Sequence, residues 1–197
     1  MWCEETMKGV VIDPGNDVEA ILDAVNQTDI TVERILLTHG HFDHAGGAME
    51  LAESLNVSIV GPHKDDEFLT TAVVAAGQMY DMDGGRDITG NAWLEDGDTV
   101  AFGTVTLDVI HTPGHTPGHV VFYNAEAKLA QVGDVLFQGS IGRTDFPRGD
   151  LDTLVKSITT KLWPLGNEVT FIPGHGPAST FGAERATNPF VGDAALA

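Results

Sequence analysis

Thr38-His39-Gly40-His41-Phe42-Asp43-His44 follows without a break on the strand-like stretch at residues 32–37, which ends in Ile35-Leu36-Leu37. Three imidazoles and a carboxylate therefore crowd into residues 39–44, at the end of what reads as a buried strand. Alternate side chains of an extended segment share a face, so His39, His41 and Asp43 can converge on one side. His44 is expected to start a helix, which turns its ring toward a neighbouring position. A structural role would bury four polar groups at a sheet edge with no evident partners, at a cost that nothing nearby offsets. Metal binding is the reading that explains the cluster, and one loop of this kind offers two adjacent sites.

The flanking chain says where that loop sits. Lys8–Ile12 reads as a buried strand closed by Asp13-Pro14-Gly15. Residues 17–26 place Val18, Ile21, Leu22 and Val25 on one helical face. Residues 45–55 read as a second helix with Met49, Leu51, Ala52 and Leu55 inward, and 57–60 as a strand. The first third is thus β-α-β-α-β, strands with covering helices. Residues 63–79 are expected to be helical, and 80–92, rich in Gly and Asp, to be a loop. The middle changes character: Thr99–Phe102, 105–110, 120–123 and 129–135 are short strands joined by tight turns, an antiparallel pattern. A helix at 150–162, capped by Asp150 or Asp152 and stopped by Pro164, precedes a last strand at 169–172. No repeat or linker interrupts the chain, and one domain over residues 1–197 is expected.

A metal site needs more donors than one loop supplies. His111-Thr112-Pro113-Gly114-His115-Thr116-Pro117-Gly118-His119 lies between two strands, where Pro and Gly make a stiff loop that can hold an imidazole at a fixed point. Gly133-Asp134 ends a strand and can project a carboxylate into a cleft. Pro173-Gly174-His175-Gly176 has the same placement. His119 is expected to support the site or pack in a strand, and His111 and His63 receive no role.

Composition narrows the functional classes. The chain has 197 residues, 42% hydrophobic and 20% charged, enough for one domain with a sizeable core. Its formal charge of −19 disfavours nucleic-acid binding, since an acidic surface repels phosphate backbones. The single cysteine, Cys3, rules out an internal disulfide and a Cys-rich zinc site. No run approaches the roughly 20 apolar residues of a membrane span. The acidic start, Met1-Trp2-Cys3-Glu4-Glu5, is unlike a signal peptide, and a cytoplasmic location is expected.

The run at residues 38–44 resembles the T-H-x-H-x-D-H signature of the metallo-β-lactamase superfamily, and His115, Asp134 and His175 follow in the order that superfamily uses. More narrowly, Gly133-Asp134-Val135-Leu136-Phe137, Gly142-Arg143-Thr144-Asp145-Phe146 and Pro173-Gly174-His175-Gly176 resemble the short bacterial glyoxalase II-like (hydroxyacylglutathione hydrolase-like) proteins. The resemblance implies an α+β fold, the four-layer αββα sandwich of that superfamily. It implies two divalent metals, zinc first, with iron or manganese as alternatives for a set of nitrogen and oxygen donors. His39, His41 and His115 would hold one metal; Asp43, His44 and His175 would hold the other, and Asp134 would bridge. The implied activity is hydrolysis of an acyl thioester, S-lactoylglutathione or similar, by a hydroxide shared between the metals. Asp43 and Asp134 would be catalytic, with Asp43 orienting the attacking group or accepting a proton. Arg143 would pair with a substrate carboxylate, or else form a salt bridge with Asp145 or Asp150. No separate organic cofactor is implied, and the partner is a small molecule. Persulfide dioxygenation on a single iron, and lactone or β-lactam hydrolysis, are alternatives that the same scaffold hosts. Two departures from longer glyoxalase II enzymes are expected. The chain runs only 22 residues past His175, without their glutathione-binding helical extension, and the opening at Met1-Trp2-Cys3 is expected to reflect either a late start of the sequence or a missing N-terminal edge strand.

Overall fold

The computed structural model describes residues 1–82 and 84–196, and its contacts divide the chain into two compact units. The first comprises Met1–Leu94 with Thr99–Thr106; the second comprises Glu95–Asp98 with Leu107–Ala197.

In the first unit, strands β1 (Lys8–Ile12), β2 (Thr31–Leu36) and β3 (Ser58–Val60) form a parallel sheet in the order β1-β2-β3. Helices α1 (Val18–Asn26) and α3 (Ala48–Leu55) make the crossovers that parallel pairing demands. Their inward residues and the strands share one core around Val18, Ile35, Leu37, Leu51, Ile59 and Val73. The helix expected over residues 45–55 is split. A short helix α2 (Phe42–Ala45) ends at Gly46-Gly47 before α3 begins. The glycine pair has a steric reason: a Cβ on Gly47 would lie 2.6 Å from the Gly15 carbonyl oxygen and from Val18 Cγ2.

The stretch 63–79 is likewise divided into a 3₁₀ turn at Lys64–Asp66, then α4 (Glu67–Thr70) and α5 (Val73–Met79). The hydroxyls of Thr70 and Thr71 both donate to the Glu67 carbonyl, at 3.2 and 2.7 Å, and compete with the continuing helix. Residues 80–92 form loop and turn apart from an isolated bridge at Ala92, as expected; Asp83 lies outside the described residues. β4 (Thr99–Phe102) also belongs to this unit, and β5 (Val105–His111) starts in it and continues into the second.

The second unit carries a mixed sheet in the order β11-β10-β7-β6-β5. β6 (Val120–Asn124) pairs antiparallel with β5 and with β7 (Leu129–Gly133), as the short-strand pattern indicated. β10 (Thr170–Pro173) joins β7 in parallel, and β11 (Ser179–Thr180) pairs antiparallel with β10. β7 was expected to reach residue 135 but stops at Gly133, whose φ of +49° leaves the extended region. The chain then folds back as the hairpin β8 (Leu136–Phe137) and β9 (Ser140–Ile141).

Helix α6 (Leu151–Ser157) is capped by Asp150, whose carboxylate accepts the Thr153 N–H at 2.8 Å. It continues as a π turn at Ile158–Leu162 and a 3₁₀ turn containing Pro164. A further helix, α7 (Phe181–Thr187), was not read from the sequence; it starts at Thr180, whose hydroxyl accepts the Ala183 N–H. Leu154, Ile158, Leu162, Phe171 and Phe181 are among the residues that close this unit's core.

Candidate metal centre

In the first unit β1 ends at Ile12, and Asp13 takes φ +48°, which an aspartate tolerates. That turn swings its carboxylate across the end of β2. Oδ1 accepts the Thr38 N–H at 2.8 Å, and Oδ2 accepts the Thr38 hydroxyl at 2.6 Å. The same Oδ2 lies 3.0 Å from His44 Nδ1, so that nitrogen carries its proton and Nε2 keeps a lone pair. Thr38 passes the orientation on. Its hydroxyl proton is committed to Asp13, so its oxygen accepts from His39 Nδ1 at 3.0 Å and leaves His39 Nε2 as a donor atom. His39 and His44 are both buried.

His39 Nε2 and His41 Nδ1 are 3.1 Å apart, with the two rings nearly perpendicular at 84°. Two imidazole nitrogens at that separation share either a proton or a cation. Ligands roughly 2.0–2.1 Å from a tetrahedral zinc lie about 3.3 Å from one another, so the pair fits a metal. Asp43 was expected to share an extended face with His39 and His41. Instead it lies in the first turn of α2, with His44 beside it in the same short helix, because the chain turns helical at Phe42 rather than at His44. Its Oδ2 is 3.7 Å from His44 Nε2, and its side chain is about half exposed.

In the second unit three separate strand ends supply the donors. His115 lies in the stiff loop between β5 and β6, where its Nδ1 donates to the Arg143 carbonyl at 2.7 Å, leaving Nε2 free of its proton. Asp134 follows the last residue of β7, and its Oδ2 stands 3.7 Å from His115 Nε2 and 3.5 Å from His175 Nε2. One carboxylate oxygen thus addresses two imidazoles. His115 is buried, whereas the His175 side chain, just past β10, is 56% exposed. His119 takes the supporting role expected of it: its Nε2 accepts the Asp134 backbone N–H at 3.1 Å. Gly142 closes over the same point, and a Cβ there would collide with the Asp134 carbonyl oxygen and lie 3.2 Å from His115 Nδ1.

The seven expected ligands therefore fall into a set of four in the first unit and a set of three in the second, each set converging within its own unit. Arg143 resolves the choice between Asp145 and Asp150 by a two-pronged pair with Asp145, both contacts 2.7 Å. It also stacks over Phe146 at 4.0 Å. The guanidinium holds the Asp145 carboxyl down at about 2. His63 caps the 3₁₀ turn by accepting the Asp65 N–H, and His111 Nε2 meets the Pro117 carbonyl oxygen at 2.8 Å. Asp13 and Thr38 are the residues that sequence reasoning missed. Asp13 reads as a turn former, and only the return of β2 beside β1 brings it to His44; an Asp closing a strand next to a histidine-bearing loop was the available signal.

These orientations, in which His39, His44 and His115 are each held by Nδ1 so that Nε2 can bind, are the pattern of metal-ligating histidines. The chain matches the metallo-beta-lactamase superfamily over residues 4–175, and it belongs to that superfamily. It is a metallo-hydrolase. Hydroxyacylglutathione hydrolase GloC of Haemophilus influenzae is 40% identical over 192 residues, covering 97% of this chain and 90% of that protein. Among solved structures, the BLEG-1 B3 metallo-β-lactamase superposes with a TM-score of 0.88 at 33% identity, over 97% of this chain and 91% of its own. TTHA1623, solved in a di-iron-bound form, gives 0.84 at 38% identity, over 92% and 87%. The α+β sandwich expected of the sequence is the fold of these proteins. Among the described residues no helix is long and apolar enough to cross a membrane.

Proposed function

We propose that the two units act as one metallo-β-lactamase-type domain that hydrolyses an acyl thioester, of which S-lactoylglutathione is the first candidate. The observation that carries the reading is Asp134 Oδ2 within 3.7 Å of the Nε2 atoms of both His115 and His175. In that position Asp134 would serve both cations, His39, His41 and His115 holding one and Asp43, His44 and His175 the other. Resemblance to a hydroxyacylglutathione hydrolase over nearly the whole chain selects the thioester among the carbonyl substrates open to such a centre.

Divalent cations bound there supply Lewis acidity and a hydroxide at neutral pH. The protein's own groups do the rest. Asp13 and Thr38 fix the tautomers of His44 and His39 before any ligand arrives, so these two rings need no tautomer change on binding. Asp43, exposed at the edge of α2, is placed to orient the attacking water and to take its proton. Asp134 draws His115 and His175 toward a common point. Arg143, on the surface beside His115's anchoring carbonyl, offers a guanidinium to a carboxylate on the thiol half of the substrate, in exchange for Asp145.

Metal content and S-lactoylglutathione hydrolysis, measured on the wild type and on Asp134→Ala, test the reading together. Two metals per chain and turnover that disappears in the variant are expected. One iron per chain, no thioester cleavage and oxygen uptake on glutathione persulfide would replace it with a dioxygenase.

A further inference from the structure

Between His39 and His41 stands Gly40, and its surroundings are unusual for a loop residue. A Cβ on Gly40 would lie 2.7 Å from Leu69 Cβ and 3.2 Å from both Thr70 Cγ2 and Thr70 N, so the segment at 66–70 presses against the bare backbone. From the same segment, at the junction of the 3₁₀ turn and α4, Asp66 directs Oδ2 at the Gly40 N–H, 3.0 Å away. Asp66 is 0% exposed. A carboxylate buried to that degree is costly to desolvate, and a charge-assisted bond to a backbone N–H offsets part of the cost. None of the ligand roles uses this residue, yet it grips the first of the two peptide units that join His39 to His41.

We propose that Asp66 is a positioning residue for the metal-binding loop. By clamping the Gly40 amide while Leu69 and Thr70 close on its α-carbon, it fixes the 3.1 Å approach of His39 Nε2 and His41 Nδ1 and so sets the affinity of the cation they share. The inference rests on the proposed assignment of those two imidazoles to one metal. In this role Asp66 acts through the backbone.

The test is zinc uptake by chelator-stripped protein, in competition with a chromophoric chelator, for the wild type, Asp66→Ala and Asp66→Asn. Hydrogen exchange of the Gly40 amide and the melting temperature are measured on the same metal-free samples. Asp66→Ala should lose Gly40 protection and bind one of the two zinc ions about 10- to 100-fold more weakly, the range for partners that orient a ligand. The other zinc should be unaffected. Asp66→Asn keeps an acceptor oxygen, and its weaker-site affinity should recover in proportion to the Gly40 protection it retains; it carries the test if the alanine variant does not fold. Unchanged uptake of both ions in a variant whose Gly40 amide exchanges freely would overturn the proposal. Equal weakening of both ions in step with a lowered melting temperature would also overturn it, as a purely structural effect. A wild type that takes up no zinc would instead remove the dinuclear assignment beneath it, which separates the two failures.

Discussion

The ligand loop of the first unit and the three strand ends of the second orient their imidazoles by different means. Around His39 and His44 the orienting groups are side chains, Asp13 directly and through Thr38, with Asp66 on the backbone between. Around His115 and Asp134 they are main-chain atoms or neutral groups: the Arg143 carbonyl, the Asp134 amide received by His119, and the bare α-carbon of Gly142. The difference follows from topology. A contiguous loop leaving a parallel sheet has neighbouring strand ends from which carboxylates can reach it. Ligands gathered from β7, β10 and the β5–β6 loop are instead fixed by the strands that carry them. It follows that the first half should yield to isosteric changes of charge or proton placement, and the second mainly to changes of backbone path.

Gly142→Ala should have the largest effect. Its methyl group would run into the Asp134 carbonyl, so the β8–β9 hairpin or Asp134 itself must move. Overpacking of this kind costs about 1–3 kcal/mol, occasionally more, and here it falls on Asp134, the proposed ligand shared by both metals. A lowered melting temperature and loss of both metals are expected, read by denaturation and metal analysis. Wild-type metal content in the variant would show that the second half tolerates backbone displacement, and the contrast between halves would be lost.

Asp13→Asn comes next and acts on the other half. Its Oδ1 can still accept the Thr38 N–H, but an amide nitrogen in place of Oδ2 has protons to donate toward His44 Nδ1. His44 would then hold its own proton on Nε2, the atom needed for a metal. The Thr38 hydroxyl loses its acceptor at Oδ2 as well, so the change passes on to His39. The zinc on His44 should bind about 10- to 100-fold more weakly and the zinc on His39 by a smaller factor, with little change in the fold. Equal weakening of both ions would mean that the link through Thr38 to His39 matters as much as the direct contact with His44. The second half has no counterpart to this substitution, since no side-chain change removes the carbonyl that orients His115.

How much could be read in advance follows the same division. The cluster at residues 39–44 was legible because its donors are adjacent in sequence, and the strands around it because apolar runs and Gly/Asp turns mark their ends. β1 and β4 coincide with their expected bounds. Asp134 and His175 were legible only through the order and spacing of a family pattern, since a strand-end Asp or His alone is an ordinary residue. Asp13 and Asp66 escaped notice because their roles arise from contacts across 31 and 26 residues, which no local periodicity encodes. The divided helices at 45–55 and 63–79 were misread for a different reason. Both contain good helix formers, and the breaks come from close backbone approach at Gly46-Gly47 and from threonine hydroxyls capturing the Glu67 carbonyl.

Arg143 lies outside both schemes, and its removal should have the smallest structural effect. The guanidinium and the Asp145 carboxylate are each more than half exposed, so water and salt screen their attraction. The sign of its pH dependence is nevertheless fixed. Asp145 titrates at about 2 in the folded protein, against an unfolded value of about 3.9, so the pair's contribution is present above the unfolded value and disappears as the pH falls through the folded one. Wild type and Arg143→Ala should therefore differ in melting temperature by the same small amount from pH 5 to 8 and converge only in strong acid. Kinetics should separate the two proteins far more clearly. If Arg143 leaves Asp145 to meet a substrate carboxylate, the variant raises KM for S-lactoylglutathione and leaves kcat nearly unchanged, whereas for a thioester lacking a carboxylate the two proteins should coincide. An unchanged KM for both substrates would confine Arg143 to its pair with Asp145 and its stack on Phe146, and would leave recognition of the thiol half to other groups.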